Sequence, residues 1–331
     1  MKFLIAGLGS IGKRHLQNLA TLGEFDLSVY RTEKGTISLD DLPKIKVEHD
    51  LGRALSKNPD AVIISNPTAL HIDTAIAAAK AGCHIFLEKP ISNNLDKVNE
   101  LKDLLHKKEL KCLVGFQYRF HPGLQKVKEL IQNGNLGRPL SVHAQWGEYL
   151  PDWHSWEDYR KGYSARSDLG GGVVLTLCHP LDYLRWMLGE IEQLWSFSGK
   201  VSDLEIDVED FAEVGLRFAD GAFGSLHLDY FRKPPEHRLD LVGSEGTVEW
   251  RAETGVARLY RYKSDVWESF LPPKGFSRND LFLAEMHHFL QVISGECSSV
   301  ATLDDGEKSL ILAKAILTSA KAKKIIRISP C

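Results

Sequence analysis

The sequence predicts an α/β protein in which a doubly wound parallel sheet precedes an α+β domain with a large, mostly antiparallel, open sheet. Short apolar strands alternate with helical patterns through the first third of the chain, as in parallel sheets with right-handed crossovers. Later segments are longer and alternate apolar with polar residues, as half-buried antiparallel strands do. The length of 331 residues suits two domains. We therefore expect a first domain at residues 1–117 and a second at residues 118–331, with the closing helices able to pack back on the first.

The first strand leads directly into a glycine-rich turn and a helix. The apolar run at residues 2–6 is followed at once by Gly7-Leu8-Gly9-Ser10-Ile11-Gly12. In this strand–turn–helix context of G-x-G-x-x-G, the first glycine permits the tight turn and the second lets a pyrophosphate approach the backbone. The third lets the helix pack on the strand, and N–H groups at the helix start attract phosphate. We expect a dinucleotide-binding Rossmann domain whose cofactor contacts include Gly7, Gly9, Ser10, Ile11 and Gly12.

The second strand, at residues 26–30, indicates which dinucleotide is bound. An acidic residue at its end would hydrogen-bond the adenosine ribose of NAD, whereas this chain reads Tyr30-Arg31-Thr32. Arg31 can pair with a 2′-phosphate, with Thr32 as a neutral donor beside it, which favours NADP over NAD. In the alternative, Arg31 stacks on the adenine or faces water, and Glu33 contacts the ribose.

Two later strands end in polar residues that the same cofactor can reach. The strand at residues 61–65 runs into a polar loop and the start of a helix, and the candidate cofactor contacts there are Ser65, Asn66, Pro67, Thr68 and His71. The next helix stops at Gly82 and leads into a nearly continuous apolar run that ends in Glu88-Lys89-Pro90. Parallel sheets bind ligands at the carboxyl ends of their strands, and Pro90 ends the ladder, so Lys89 is placed at the site. The alternative is an ion pair at the surface. A helix at residues 95–107 follows, and a last strand at residues 112–116 completes the sheet.

In the second domain, alternation of apolar and polar residues predicts most of the elements. A helix is expected at residues 124–132, strands at residues 139–146, 208–218, 223–230, 238–242, 247–251, 256–262 and 325–328, and closing helices at residues 280–293 and 306–322. Asp220-Gly221 predicts a hairpin between two of these strands. Because helices are expected on one face only, we expect subunits to pair across the other face as a homodimer or homotetramer.

Two segments of this domain carry candidate site residues. The loop at residues 149–160 is polar and aromatic, which is typical of a binding loop, and its Trp153 and Arg160 suit a sugar ring. The alternative is a lid that packs on its own tryptophans. Further on, Gly170-Gly171-Gly172 enters a helix on which His179 and Asp182 lie one turn apart. A lone helix histidine is more often structural, but His179 follows a loop able to pass close to a cofactor.

Composition argues against several classes of partner. The net charge of −3, without a basic block, gives no reason to expect nucleic acid. No segment approaches the ~20 apolar residues that span a bilayer, and glycines interrupt the apolar N-terminus, so we interpret it as a strand rather than a signal peptide. Five widely spaced cysteines without a C-x-x-C pair favour a reducing cytoplasm. Adjacent helix histidines at positions 287 and 288 point apart, so no metal site is expected.

The ordered motifs resemble the Gfo/Idh/MocA family of NAD(P)-dependent oxidoreductases over essentially the whole chain. The motifs that carry the resemblance are Gly7 to Gly12, Ser65-Asn66-Pro67-Thr68 with His71, Glu88-Lys89-Pro90, Tyr118-Arg119-Phe120, and Gly170-Gly171-Gly172 with His179 and Asp182. The resemblance implies oxidation or reduction at one carbon of a sugar, cyclitol or nucleotide sugar. It also implies that Lys89 contacts the reacting hydroxyl, that His179 is an acid/base, and that the peptide bond before Pro90 is cis.

Members of the family often carry an acidic residue about one turn before the histidine, where this chain has Leu175 and Thr176. Thr176 can hydrogen-bond a substrate but cannot act as a carboxylate. The aromatic loop resembles that of members associated with nucleotide sugars. The remaining expected contacts are Glu88 and Gln117 for the cofactor, and Tyr118, Arg119, Thr176 and Asp182 for the substrate.

The sequence thus predicts an enzyme that transfers a hydride between a nicotinamide and a carbinol or keto carbon of a sugar or nucleotide sugar. A neutral Lys89 would need its pKa lowered from ~10.4, and burial and an oxidised nicotinamide both favour that change. His179 is the second proton-handling group. Glu88 would raise the pKa of Lys89 if the two paired, so we assign Glu88 to structure or to the ribose. Two alternatives stay open: a dehydrogenase of free cyclitols or aldoses, and a cofactor-binding regulator without catalysis.

Overall fold

The computed structural model describes residues 1–32 and 45–329. Glu33, the alternative ribose contact, lies outside the described residues. Contacts among the described residues divide the chain into two compact units. The first contains residues up to Gln117, residues 168–170 and residues 278–310; the second contains residues 118–167, 171–277 and those from Ile311 onward.

Strands and helices alternate through the first unit and are mixed in the second. The strands are β1 (Lys2–Ala6), β2 (Asp26–Tyr30), β3 (Lys46–Glu48), β4 (Ala61–Ile64), β5 (His84–Leu87), β6 (Cys112–Val114), β7 (Pro139–Tyr149), β8 (Ile191–Gly199), β9 (Phe211–Phe218), β10 (Phe223–Asp229), β11 (Phe231–Gly243), β12 (Gly246–Arg251), β13 (Ala257–Arg261), β14 (Val266–Phe270) and β15 (Ile326–Arg327). The helices are α1 (Ser10–Leu22), α2 (Leu51–Leu55), α3 (His71–Lys80), α4 (Val98–Lys107), α5 (Pro122–Gln132), α6 (Val173–Thr176), α7 (His179–Leu188), α8 (Arg278–Ser294) and α9 (Leu303–Ala322).

The first unit is built on a parallel sheet with strand order β3-β2-β1-β4-β5-β6. Its central strands are fully buried, as the apolar runs at residues 3–6 and 61–64 require. Helix α8 packs against α1, where the Asn279 side-chain amide donates to Asn18 Oδ1 at 2.9 Å and Arg14 lies over the ring of Phe282. The prediction of a doubly wound parallel sheet is confirmed. Strand order reverses between β1 and β4, so the residues that follow these two strands lie at the point where such sheets bind ligands.

The second unit is built on a nine-stranded sheet with the order β14-β13-β12-β11-β7-β10-β9-β8-β15. Every neighbouring pair is antiparallel except β7 and β10, which are parallel. The hairpin predicted around Asp220-Gly221 joins β9 to β10. The mostly antiparallel sheet is therefore confirmed.

Alternate residues of this sheet differ strongly in exposure. Leu194, Val214 and Leu226 are buried beneath helices of the same unit. Ser196 on that face donates twice to α9, from its N–H to Ser319 Oγ and from its hydroxyl to Ile316 O. On the opposite face, Phe197 and Phe223 are 62% and 58% exposed. The second face therefore presents large apolar side chains to solvent.

Two strands and half of a third escape prediction from the sequence. β8 and β14 were not predicted, and β11 begins at Phe231 rather than at residue 238. The early part of β11 contains Pro234 and Pro235, which normally argue against a strand. It pairs with β7 across a register shift between Phe231 and Glu236, so the prolines lie where the ladder is already interrupted.

Within the described residues, no helix is both long and apolar enough to cross a membrane.

Candidate active site

The glycine-rich turn after β1 lies against the loop after β4. Gly7 has a φ of +103°, and a Cβ atom there would lie 2.4 Å from the backbone nitrogen of Asn66. A Cβ atom at Gly12 would lie 2.1 Å from Gly7 O and 2.8 Å from the hydroxyl oxygen of Ser65, which itself donates to Gly7 O. At Gly9 the same position has no atom within 4 Å. The protein itself therefore requires glycine at positions 7 and 12, whereas the space at Gly9 is open to a ligand.

The residues around this turn fit a dinucleotide. Ser10 and Ile11 are half-buried in the first turn of α1, where backbone N–H groups are available to phosphate. The side-chain amide oxygens of Asn66 and Gln117 are buried and have no hydrogen-bond partner among the described residues. Both oxygens can accept from the hydroxyl or amide groups of a bound dinucleotide.

Arg31 and Thr32 follow β2, as predicted for residues near an adenosine ribose. The Arg31 N–H donates to Glu48 O at 3.1 Å, and Arg31 O contacts the ring of His49 at 3.0 Å. Arg31 is half-buried and Thr32 is exposed. The backbone at this position is thus held by β3 and the residue that follows it.

His71 braces the loop after β4, which is not the cofactor contact expected from the sequence. The ring is buried, with Nδ1 2.7 Å from Pro90 O and Nε2 2.8 Å from Asn66 O. Burial lowers the pKa of His71, and a neutral imidazole has one N–H, so one of the two contacts is a hydrogen bond at a time. Because both ring nitrogens face backbone carbonyls, we revise His71 to a structural role. Pro67 and Thr68 lie in the loop that it braces.

Glu88 is engaged by a histidine of α1. His15 Nε2 lies 2.7 Å from Glu88 Oε1, and the backbone N–H of Lys89 donates to Glu88 Oε2 at 3.2 Å. Burial works to raise the pKa of Glu88, but the hydrogen bond and charge of His15 and the nearby charge of Lys89 hold it below its usual value. The carboxylate therefore ties the end of β5 to α1, which agrees with the structural alternative for Glu88.

Lys89 follows β5 by two residues and is half-buried. Its peptide bond to Pro90 is cis, as the resemblance to the family implied. The order β1-β4-β5 places Lys89 at the same edge of the sheet as the glycine-rich turn. This is the position that the apolar run ending in an acid, a base and a proline predicted.

His179 belongs to the second unit, where aromatic rings hold it. It opens α7 and is 1% exposed. The indole ring of Trp146 stacks on the imidazole at 5.6 Å between centroids, and the ring of Tyr118 meets it edge-on at 4.9 Å. The Tyr118 hydroxyl in turn lies 3.2 Å from Nδ1 of His237. The orientation of the His179 ring is therefore set by residues that lie far apart in the sequence.

Arg119 and Asp182, both expected to contact substrate, pair with each other instead. Arg119 Nε donates to Oδ2 at 2.9 Å and Nη2 donates to Oδ1 at 2.5 Å, and the side chains are 4% and 2% exposed. This two-point pair joins the segment before α5 to the first turn of α7. We therefore revise both residues from substrate contacts to a buried link that holds the helix of His179 in place.

Thr176 and Trp153 meet around Tyr230, which the sequence did not single out. The Tyr230 hydroxyl interacts with Thr176 and Ser164, which partly offsets the rise in its pKa caused by burial. The indole ring of Trp153 meets the Tyr230 ring edge-on at 5.5 Å. Arg160, in contrast, is exposed and paired with Asp158 and Glu205. The structure therefore brings Trp153 and Thr176 together and shows Arg160 engaged in surface ion pairs.

Glu209 is another residue that sequence reasoning missed, as are His15, Trp146 and His237. It precedes β9 and contacts the turn that enters α6, where Val174 N–H donates to its carboxylate at 3.2 Å. Burial raises the pKa of Glu209 to about 7. No local pattern in the sequence marks this residue, because its partners lie 35 residues earlier in the chain. Among the described residues there is no group of His, Cys, Asp or Glu side chains that could hold a metal ion.

Known proteins resemble this chain along its full length. The model of an oxidoreductase family with an NAD-binding Rossmann fold matches residues 1–116, and that of the GFO/IDH/MocA C-terminal domain matches residues 124–249. Myo-inositol 2-dehydrogenase of Thermotoga maritima is 29% identical, covering 99% of this chain and 98% of the relative. Levoglucosan dehydrogenase of Pseudarthrobacter phenanthrenivorans is 26% identical over 81% of this chain and 80% of the relative.

A solved structure shows the same fold. The WlbA dehydrogenase of Bordetella pertussis, in complex with NADH and UDP-GlcNAcA, superimposes with a TM-score of 0.85 at 23% identity, covering 100% of this chain and 99% of that one. The two domain models together cover well over half of the chain, and both belong to one family. With the glycine-rich turn, its open space at Gly9 and Lys89 at the same sheet edge, this chain belongs to the Gfo/Idh/MocA family and is an NAD(P)-dependent oxidoreductase.

Proposed function

We propose that this enzyme transfers a hydride between a nicotinamide and a carbinol or keto carbon of a sugar or nucleotide sugar, with Lys89 and His179 handling the proton of the reacting oxygen. The observation that carries the proposal is the place of Lys89. It is half-buried and lies at the strand-end edge that holds the glycine-rich turn. A lysine there can reach a group that reacts with a nicotinamide bound by the turn.

The proton chemistry follows from the two side chains. In the direction of oxidation, the bound nicotinamide accepts the hydride from carbon, and the hydroxyl proton must leave the oxygen at the same time. A neutral amine at Lys89 or a neutral imidazole at His179 has the lone pair that accepts this proton. The rings of Trp146 and Tyr118 limit rotation of the His179 ring, so its nitrogens keep a constant direction.

The substrate class is supported by the relatives and by the aromatic loop. The named relatives act on myo-inositol and levoglucosan, and the WlbA complex contains a nucleotide sugar. Trp153 and Trp156 provide flat apolar faces in the loop at residues 149–160, and Trp156 is 57% exposed. We propose that Trp153, Thr176 and Tyr118 contact the sugar, with Arg160 on the surface beside the site.

A free cyclitol is the second candidate substrate. The relative that matches 99% of this chain is named for myo-inositol. For the cofactor, we propose NADP on the basis of Arg31 and Thr32, with NAD as the alternative that the NADH complex of WlbA favours. The remaining proposed cofactor contacts are Gly7, Gly9, Ser10, Ile11, Gly12, Ser65, Asn66, Pro67, Thr68, Lys89 and Gln117.

We also propose that the exposed face of the nine-stranded sheet joins subunits into a homodimer or homotetramer, because Phe197 and Phe223 there present apolar area to solvent. The expected compartment is the reducing cytoplasm, on the basis of the wide spacing of the cysteines.

The experiment is a comparison of Lys89→Met with wild type on a panel of substrates. The panel contains myo-inositol, levoglucosan and UDP-linked hexoses and hexuronic acids, each with NAD⁺ and NADP⁺. Loss of general acid–base catalysis should lower kcat by about 10²- to 10⁴-fold, while NAD(P)H affinity, measured by fluorescence, stays within about twofold. Lys107→Met, which changes an exposed lysine of α4, is the matched control.

Near-normal turnover of Lys89→Met would refute the assignment of Lys89. If wild type binds the cofactor but reduces it with none of these substrates, the non-catalytic regulator becomes the better interpretation. A preference for NAD⁺ over NADP⁺ in kcat/KM would overturn the interpretation of Arg31.

A further inference from the structure

Glu209 is a carboxylate lodged against the glycine-rich turn at the start of α6. Its backbone oxygen accepts from Val173 N–H at 3.0 Å, and its Oε1 accepts from Val174 N–H at 3.2 Å. Gly172 has a φ of +104°, and a Cβ atom there would lie 2.3 Å from Oε1 and 2.5 Å from Oε2. The carboxyl group therefore occupies the space that the absence of a side chain at position 172 leaves open.

The surroundings of Glu209 raise the pKa of its carboxyl group to near neutral pH. Burial is the main reason that its pKa rises to about 7, and the nearby charge of Asp210 adds to the rise. The Val174 N–H and the positive charge of Lys314 on α9 act in the opposite direction. Tyr230 faces it from the segment between β10 and β11. Asp210 is itself fully buried and accepts from the backbone N–H groups of Val201 and Ser202.

The turn held by Glu209 leads directly to His179. Thr176 N–H donates to Gly172 O and Leu177 N–H donates to Val173 O, both at 2.9 Å, so α6 is built on the residues that Glu209 contacts. α7 begins two residues after Leu177, at His179. Tyr230 links α6 to Glu209, because it interacts with Thr176 as well as with Glu209. One short helix therefore connects the turn at Gly172 to the residue that carries the imidazole.

We propose that Glu209 is a positioning residue for His179: its ionised carboxylate holds the turn at residues 172–174 and so keeps α6 and the start of α7 in the arrangement that turnover requires. This inference rests on the proposed role of His179. An N–H group bonds more strongly to a carboxylate than to a neutral carboxyl group, so the turn is firmer above the pKa of Glu209 than below it. The enzyme therefore gains activity as the pH rises through neutrality, through a residue that does not touch the substrate.

The test compares Glu209→Gln with wild type in the full-length enzyme, using the sugar of the panel that wild type turns over best. The amide keeps the size and one acceptor oxygen of the side chain but cannot ionise. At pH 8 we expect kcat to fall about fivefold to tenfold, the difference between a hydrogen bond to a charged and to a neutral group. At pH 6 the two enzymes should converge, and the KM for the cofactor should be unchanged. Glu209→Asp restores an ionisable group and should recover a pH-dependent kcat, and Asp203→Asn, an exposed carboxylate of the same connection, should match wild type.

A second readout needs no substrate. Hydrogen exchange of the peptide that spans residues 172–177, corrected for the intrinsic effect of pH, should slow between pH 6 and pH 8 in wild type and Asp203→Asn but not in Glu209→Gln. A pH profile of kcat in Glu209→Gln identical to wild type would overturn the proposal, as would identical exchange. If Lys89→Met keeps its turnover while the Glu209 effects appear, the assignment of Lys89 fails and that of Glu209 stands.

Discussion

The buried pair of Arg119 and Asp182 offers the sharpest test of the second unit. Two hydrogen bonds, of 2.9 and 2.5 Å, join side chains that are 4% and 2% exposed. The substitution Asp182→Asn keeps the shape of the side chain and removes its charge. The guanidinium of Arg119 stays positive, because arginine does not lose its proton in proteins.

The expected cost follows from the burial of the pair. Removing one partner of a buried ion pair destabilises a protein by about 3–5 kcal/mol. Replacing both residues with apolar side chains of similar size, as in Arg119→Met combined with Asp182→Leu, should cost much less, since neither charge then remains buried. The double variant thus separates the loss of the ion pair from the cost of burying one charge without its partner.

The assay can be confined to one unit. All seven tryptophans of the chain, at positions 146, 153, 156, 186, 195, 250 and 267, belong to the second unit. Urea unfolding followed by tryptophan fluorescence therefore reports on that unit, which matters because a protein with two units need not unfold in one step. The exposed pair of Asp158 and Arg160 is the control, and Asp158→Asn should change the midpoint far less than Asp182→Asn. A loss below about 1 kcal/mol in Asp182→Asn, the range of surface pairs, would refute this reasoning.

Two further predictions concern substitutions in the first unit. Gly12→Ala forces a Cβ atom against Gly7 O and the Ser65 hydroxyl, so it should lower both the urea midpoint and the affinity for NAD(P)H. A cost of overpacking of about 1–3 kcal/mol corresponds to about fivefold to somewhat over 100-fold if it falls on affinity, whereas Gly9→Ala, with open space, should lower affinity only. Because the pKa of Glu88 in the folded state is depressed, its stabilisation is present above its usual pKa and lost as the pH falls through the depressed value. Glu88→Gln should therefore be less stable than wild type at pH 7 and show a flatter dependence of unfolding free energy on pH below about 4.5, measured by circular dichroism in urea; equal slopes would contradict this.

Residues at strand ends are predictable because the physics that places them is local. An apolar run that stops at a glycine, a proline or a charged residue marks the end of a buried strand. In a parallel sheet all such ends meet at one edge, so the sequence alone suffices to group Gly7, Ser65 and Lys89. The sheet order confirms that grouping.

The second unit is less predictable because its contacts span long distances in the chain. Arg119 and Asp182 lie 63 residues apart, and no periodic pattern in the sequence predicts that they pair. β14 escapes prediction because four of its five residues are exposed, so it lacks the alternation that marks a half-buried strand. Whether a charged side chain is buried depends on the packing of the whole folded unit, so it cannot be predicted from the neighbouring residues in the sequence.

The two proposed proton-handling residues therefore depend on their surroundings in different ways. Lys89 is placed by the end of β5, and its neighbour Glu88 is held by His15 as well as by the backbone N–H of Lys89. Both carboxylate oxygens of Glu88 are therefore engaged by groups other than the Lys89 amine. His179 opens α7 directly after α6; Glu209 contacts the turn before α6, and the pair of Arg119 and Asp182 links the first turn of α7 to the segment before α5. Substitution of Lys89 itself should therefore act mainly on proton transfer, whereas substitutions that weaken the supports of His179 should lower stability and turnover together.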